Sequence, residues 1–145
     1  MKKPKLTIGR TDIADFPSLR LKNINVKIDT GAFTASIHCH KISLVKRQNK
    51  QLLKFYLLDP SHPEYEGKAL YVSEFKFKKV KSSNGLIEKR YVIPASIKLF
   101  KKTYPIELSL SNRGSMKYPV LIGRKFLLQK FIVDVSKRNL SCRSK

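Results

Sequence analysis

A chain of 145 residues with 31 Lys and Arg against 10 Asp and Glu, a formal net charge of +21, has the length of one domain and can bury a core without disulfide or metal staples. Its 41% hydrophobic and 10% aromatic content excludes a disordered basic tail. No apolar run reaches the roughly 18–20 residues of a bilayer span, and six Gly with seven Pro exclude a collagen-like or low-complexity chain.

The first ten residues start basic but hold no apolar stretch of signal-peptide kind, so no cleaved leader is expected. Ile8-Gly9-Arg10 returns near the other end as Ile122-Gly123-Arg124, a shared tripeptide that suggests two related strand ends. From Asn23 to Ile28 the apolar residues fall on every second position, the period of a strand. That strand ends in Asp29-Thr30-Gly31-Ala32, and Thr34 to His40 resumes extended structure. Leu53 to Leu58 reads as a further strand, and Asp59-Pro60 through Gly67 as a polar loop. Phe75 and Phe77 alternate with Lys76 and Lys78, ahead of Ser82-Ser83-Asn84-Gly85, whose Asn-Gly pair favours a tight hairpin. Ile97 and Leu99, then Ile106, Leu108 and Leu110, alternate with polar residues. Val120-Leu121-Ile122 has the composition of a buried strand. Arg124 to Lys130, with Phe126, Leu127 and Leu128, is the one helical stretch, and Phe131 to Val135 returns to strand. Many short strands with a single short helix predict an all-β barrel or sandwich. No boundary divides it, so residues 1–145 are expected to form one domain.

The charge favours anionic partners: nucleic acid, an acidic membrane surface or an acidic peptide. Lys outnumbers Arg 23 to 8, which suits diffuse attraction better than bidentate recognition. Cys39 and Cys142 form neither a C-x-x-C motif nor a framework and read as free thiols in a reducing cytoplasm. His38 and His40 would share one face of a strand beside Cys39. Two ligands are too few for a closed metal site and no second cluster completes them, so neither a metal nor a cofactor is expected. The sequence also lacks a phosphate-binding loop of the G-x-x-x-x-G-K-[ST] type, H-E-x-x-H and G-x-S-x-G.

Asp29-Thr30-Gly31-Ala32 is the informative segment. An alternating strand delivers a carboxylate to its end, Gly31 lets backbone N–H groups reach it, and Thr30 can lock the loop by hydrogen bonding. An aspartic peptidase needs such a rigid carboxylate, held against a second one so that the pair shares a proton and activates water. On four residues alone the plainer reading is a strand-end Asp bonded to its own backbone. A second piece changes the balance: about ninety residues later, Val120-Leu121-Ile122-Gly123-Arg124 is an apolar run ending in Gly ahead of a helix.

With both pieces in order, the chain resembles the bacterial retropepsin-like family often labelled ATP-dependent zinc proteases, whose members commonly accompany a glutamate ligase of the ATP-grasp type. The resemblance runs from Ile8-Gly9-Arg10 to about Asp134. It is carried by Lys27 to Ala32, Thr34 to His38, Ser82 to Gly85, Arg90 to Ile93, Pro105 to Leu108, Asn112-Arg113, Met116, Leu121 to Arg124 and Phe131 to Asp134. It implies a single-domain retropepsin-like closed β-barrel, the acid-protease fold, acting as a homodimeric aspartic endopeptidase with one Asp per chain. On this resemblance Asp29, Thr30 and Gly31 form the catalytic block: Asp29 pairs with its copy, Thr30 braces the two loops, and Gly31 and Ala32 hold substrate backbone. Ile122 and Gly123 pack behind the Asp loop, and Arg124, beside the Gly at a helix start, braces either the dimer or the Asp loop. Asn84 and Gly85 are candidates for a flap over the cleft. Arg90 and Arg113 are candidates for substrate carboxylates or for structural ion pairs, and ten acids, which leave few internal partners, favour the first. Phe33 stands where retroviral enzymes usually carry another acid, which removes a usual partner of Arg124. The zinc and ATP of the family label find no support in the sequence. The link to glutamate ligases, together with the charge, implies acidic or poly-glutamate peptide tails as substrate. Two rival readings are a basic nucleic-acid-binding β-barrel, whose aromatic residues would track a single strand, and a retropepsin-fold scaffold without catalysis.

Overall fold

The computed structural model describes residues 4–81, 85–112 and 118–143 of the chain. Their strands are β1 (Leu6–Ile8), β2 (Thr11–Phe16), β3 (Leu21–Ile28), β4 (Ala35–Arg47), β5 (Lys50–Leu57), β6 (Ala69–Val72), β7 (Lys76–Lys81), β8 (Ile87–Leu99), β9 (Lys102–Ser111), β10 (Val120–Ile122) and β11 (Phe131–Val133). Two four-residue helices, α1 (Arg124–Leu127) and α2 (Leu140–Arg143), and a 3-10 turn at Pro17–Leu19 complete the described elements.

Six strands close on themselves. β3 pairs with β2, β2 meets β8, β8 pairs with β9, β9 runs parallel to β4, and β10 lies between β4 and β3. β5 and β6 extend outward from β4, β7 adds to β8, and β1 pairs with β11 in a separate parallel ribbon. The all-β architecture expected from the sequence is present, and the strands form a ring. Phe16, Ile24, Ile37, Ile97, Leu108 and Ile122 fill the core, each fully buried. At one end Phe131 packs against Phe100, Tyr104 and Phe126 with ring centroids 5.7–5.9 Å apart.

Four details depart from the sequence reading. First, β2 is a regular half-buried strand whose inward residues are Asp12, Ala14 and Phe16. Its period is hidden because one inward position is a carboxylate. Second, α2 exists because of that carboxylate: Asp12 Oδ2 accepts the N–H of Ser141 (2.9 Å), and Oδ1 those of Cys142 (3.1 Å) and Ile13 (2.8 Å). A four-residue helix cannot hold itself, and here its free N–H groups are satisfied by a side chain about 130 positions earlier in the chain. Third, the helix expected to reach Lys130 stops at Leu127, and β11 stops at Val133 rather than Val135. Fourth, β4 runs on to Arg47, past an irregularity between His40 and Ser43.

Glu107 on β9 gathers the amines of Lys125, Lys76 (3.5 Å) and Lys78 (3.4 Å), which joins α1 and β7 to the ring. The hydrogen bond from Lys125 is the main reason its carboxyl is pushed down from 4.5 to about 2. A carboxyl depressed in the fold contributes stability above its unfolded value and loses it as the pH falls toward 2. Half-exposed ion pairs contribute about 0–1 kcal/mol. Glu107→Gln should therefore cost about 1 kcal/mol at pH 7 and almost nothing at pH 2, read from denaturant midpoints at the two pH values.

Candidate active site

β10 occupies the slot between β3 and β4, with Val120 opposite both Val26 and Ile37. The chain leaving Ile28 therefore cannot turn directly into β4 and must bridge over the end of β10. Residues 29–34 form that bridge. The Asp29 N–H continues the ladder onto the Ile122 carbonyl (2.9 Å), the Ala32 N–H closes a turn onto the Asp29 carbonyl (3.3 Å), and the Gly31 N–H binds Asp29 Oδ1 (3.0 Å). Underneath, the Arg124 N–H donates to the Ala32 carbonyl and the Lys125 N–H to the Phe33 carbonyl, both at 2.9 Å. Gly123 passes so close that a Cβ there would lie 2.5 Å from the Phe33 oxygen and 2.7 Å from its carbonyl carbon. Its φ of −87° is ordinary, so the glycine is required for space and not for conformation.

The structure thus gathers Asp29, Thr30, Gly31 and Ala32 with Ile122, Gly123 and Arg124. Asp29 is half-buried, Thr30 and Gly31 face solvent, and Ala32 is buried. Among the described residues the hydrogen bond to the Asp29 carboxylate is the one at Oδ1. The departure at Phe33 is compensated locally. Arg124 donates from Nη1 to the Thr30 carbonyl (2.9 Å), and its guanidinium lies 5.7 Å from the Phe33 ring centroid, so a carbonyl and an aromatic face serve where an acid is usual.

Arg90 lies elsewhere, on β8, opposite Lys78 of β7. Its Nε (2.9 Å) and Nη2 (2.5 Å) both donate to Glu88 Oε2, a neighbour two positions away on the same strand face. Gly85, with φ +86°, lies two residues before β8. Leu86 and Ile87 beside it are exposed, and Phe77 stacks on Tyr91 nearer the start of β7. Asn84 and Arg113 lie outside the described residues.

Sequence reasoning passed over a second loop of the same build. β11 runs parallel to β1 as β3 does to β10, and the Asp134 N–H bonds the Ile8 carbonyl (2.9 Å) as that of Asp29 bonds Ile122. The Arg10 N–H donates to the Lys137 carbonyl, three residues past Asp134, as that of Arg124 donates to Ala32, three past Asp29. Arg10 Nη1 reaches the Val135 carbonyl (3.1 Å), the counterpart of Arg124 on Thr30. Gly9 crosses Lys137 with 2.4 Å available to a Cβ. The repeated Ile-Gly-Arg was the readable trace of this duplication. At the position of Gly31 the second loop carries Ser136, whose N–H (3.0 Å) and Oγ (2.6 Å) both bind Asp134 Oδ1. This serine is the first reason the Asp134 carboxyl sits below its usual range.

The histidines do not fit a zinc centre. His38 is buried with Nε2 2.8 Å from Asp59 Oδ2 and Nδ1 3.3 Å from the Ser111 carbonyl. His40 uses Nδ1 on the Leu58 carbonyl (2.8 Å) and Nε2 toward the Tyr65 hydroxyl (3.4 Å), and its ring stacks on Tyr56. Burial pushes the Cys39 thiol up to about 12, so it is protonated and inert. Among the described residues, no three His, Cys, Asp or Glu side chains gather as a metal site would require.

With this geometry in view, comparison with known proteins is informative. A family model described as RimB-like, retropepsin-like aspartic endopeptidase RimB, matches residues 7–144. Over 136 residues the chain is 39% identical to a probable alpha-L-glutamate ligase of Shewanella halifaxensis, covering 91% of this chain and 29% of that protein. A probable alpha-L-glutamate ligase of Parasynechococcus marenigrum is 29% identical over 134 residues, with 90% and 28% covered. The chain therefore spans less than a third of the length of these curated relatives. A crystal structure of a Legionella pneumophila protein of unknown function shares the fold, with a TM-score of 0.69 at 24% identity over 95% of this chain and 99% of that one.

Forcing a methyl group into a closed backbone crossing costs about 1–3 kcal/mol. Gly123→Ala is expected to lower stability by that amount in urea denaturation, and Gly9→Ala to do the same at the second loop. If both variants melted like the parent chain, the crossings would not be as tight as 2.4–2.5 Å.

Proposed function

Because the chain belongs to the RimB-like family of retropepsin-like aspartic endopeptidases, we propose that it hydrolyses peptide bonds as a homodimer, with Asp29 contributed by each copy. The observation that carries this reading is the build of the Asp29 loop. Its backbone is tied at Ile122, Ala32 and Phe33, one carboxylate oxygen is held by the Gly31 N–H, and Thr30 and Gly31 face outward. A two-fold axis at that surface brings the Asp29 carboxylate of one copy to that of the other.

Two carboxylates at hydrogen-bonding distance share one proton, because like charges so close do not both ionise. The ionised member takes a proton from water as the water oxygen attacks the scissile carbonyl carbon, and the protonated member donates to the carbonyl oxygen. When the resulting tetrahedral species collapses, the C–N bond breaks and a carboxyl proton passes to the leaving amine. No bond forms between enzyme and substrate. Asp134 is a poor candidate for this role, since Ser136 already binds one of its oxygens twice and holds it ionised.

Acidic or poly-glutamate tails are the substrate class favoured by the +21 charge and by relatives named alpha-L-glutamate ligases. Free thiols at Cys39 and Cys142 support a cytoplasmic setting. No described helix is long and apolar enough to cross a membrane.

Asp29→Asn should lower the rate of peptide hydrolysis by at least about 10²-fold while leaving folding and dimerisation intact by circular dichroism and size-exclusion chromatography. Asp134→Asn should stay active. Full hydrolysis by Asp29→Asn would end the reading. Oligoglutamate should be cut faster than a neutral peptide at low salt, and the advantage should shrink as ionic strength rises.

A further inference from the structure

The second carboxylate loop borders a polar cavity of about 470 Å³ lined by Arg10, Ser136, Lys137, Arg138, Leu140 and Arg143. Four of these six residues are cations, and Arg10, Lys137, Arg138 and Arg143 all face solvent. The acids at hand are already engaged. Asp12 is buried and bonded to the N–H groups of Ile13, Ser141 and Cys142. Asp134 is held by Ser136 and also feels the charge of Lys137, which lies beyond ion-pair contact. None of the four cations forms an ion pair with a described residue; Arg10 spends one N–H on the Val135 carbonyl and keeps the rest of its fork.

The composition of this cavity runs against that of the chain. Lys outnumbers Arg 23 to 8 overall, yet three of the four cations here are Arg, whose planar fork binds carboxylate oxygens in pairs. Its position is fixed: Arg10 is anchored by the Gly9 crossing, and α2 is tied to the ring through Asp12. Among the described residues no aromatic ring lines the cavity, whereas sites for single-stranded nucleic acid use aromatic faces on which bases stack.

We propose that this cavity is a binding site for the carboxylate side chains of an acidic peptide, separate from the Asp29 loop. Its use as a grip on the substrate tail rests on the peptidase reading, but binding there does not. The duplicated loop would then serve the same molecule twice, with Asp29 presenting a carboxylate to a peptide bond and Arg10 presenting a cation to the peptide's acids.

The test uses the full chain carrying Asp29→Asn, so that nothing is cut, and a fluorescently labelled hexaglutamate peptide. Adding Arg138→Gln and Arg143→Gln should weaken binding by at least about tenfold, from the loss of charge-assisted hydrogen bonds. Lys137→Gln with Arg138→Gln should do the same and guards against a folding defect in α2. A control pair with the same change in net charge, Lys46→Gln with Lys50→Gln at the exposed β4–β5 end, should change affinity less than about twofold at physiological salt. Equal losses in the site and control pairs would leave only a long-range field and overturn the site. So would unchanged hexaglutamate binding in both site variants, or a loss confined to an oligothymidylate probe. Because the readout is binding, hydrolysis surviving Asp29→Asn would sink the peptidase reading while leaving this result standing.

Discussion

The architecture depends on a backbone crossing with no room for a side-chain carbon. Gly123 runs beneath Phe33 at a separation that only hydrogen can occupy, and that contact lets β10 end directly under the loop joining β3 to β4. With β10 in the slot, two backbone N–H groups and one guanidinium N–H fasten the loop from below, and the loop's own Asp29 N–H binds the Ile122 carbonyl. The position of Asp29 follows from these bonds. Its carboxylate sits at the edge of a closed ring of strands, half in protein and half in solvent, where a second charged group can approach it.

The same crossing occurs twice. Gly9 under the Asp134 loop and Gly123 under the Asp29 loop have matching ladders, matching guanidinium clamps and matching strand registers. What separates the two is the residue two positions past the aspartate. Glycine supplies one N–H to Oδ1, while serine supplies an N–H and a hydroxyl to the same oxygen. The added donor stabilises the charged form of Asp134. One scaffold therefore yields a carboxylate with a single local donor and another doubly bound by its own turn, and the cationic surroundings of the second loop differentiate the pair further.

The scarcity of acids reads differently once their contacts are known. All five aspartates accept a backbone N–H: Asp12 from Ile13, Asp15 from Asn23, Asp29 from Gly31, Asp59 from Ser61 and Asp134 from Ser136. Glu88 and Glu107 are consumed by Arg90 and by three lysines. Acids in this chain mostly hold structure, and the cations outnumber what they can neutralise. The surplus at the cavity beside Arg10 is thus not answered from within the described structure.

Much of this was legible in the sequence, where the informative quantity was local. Period-two alternation marked β3, β8 and β9, the Asp-Thr-Gly-Ala turn marked a carboxylate at a strand end, and a repeated Ile-Gly-Arg marked two related strand ends. The plainer reading of Asp29, an aspartate bonded to its own backbone, is locally true as well, and the same turn recurs at Asp59 and Asp134. The crossing beneath separates Asp29 from Asp59, and the residue two positions on, Gly31 against Ser136, separates it from Asp134. β2 escaped notice because its inward face contains a carboxylate, and α2 because its cap lies about 130 positions away. For Arg90 the sequence leaves a substrate carboxylate and a structural ion pair both open, and the fold shows the pair with Glu88 on the same strand face. Sequence alone determined the strand content, the turn chemistry and the charge surplus, since each depends on neighbours a few residues apart. Only the tertiary structure decided which glycine lies under which loop, which acid each arginine meets and where four cations are left together, because those are set by long-range pairing of strands that no local pattern encodes.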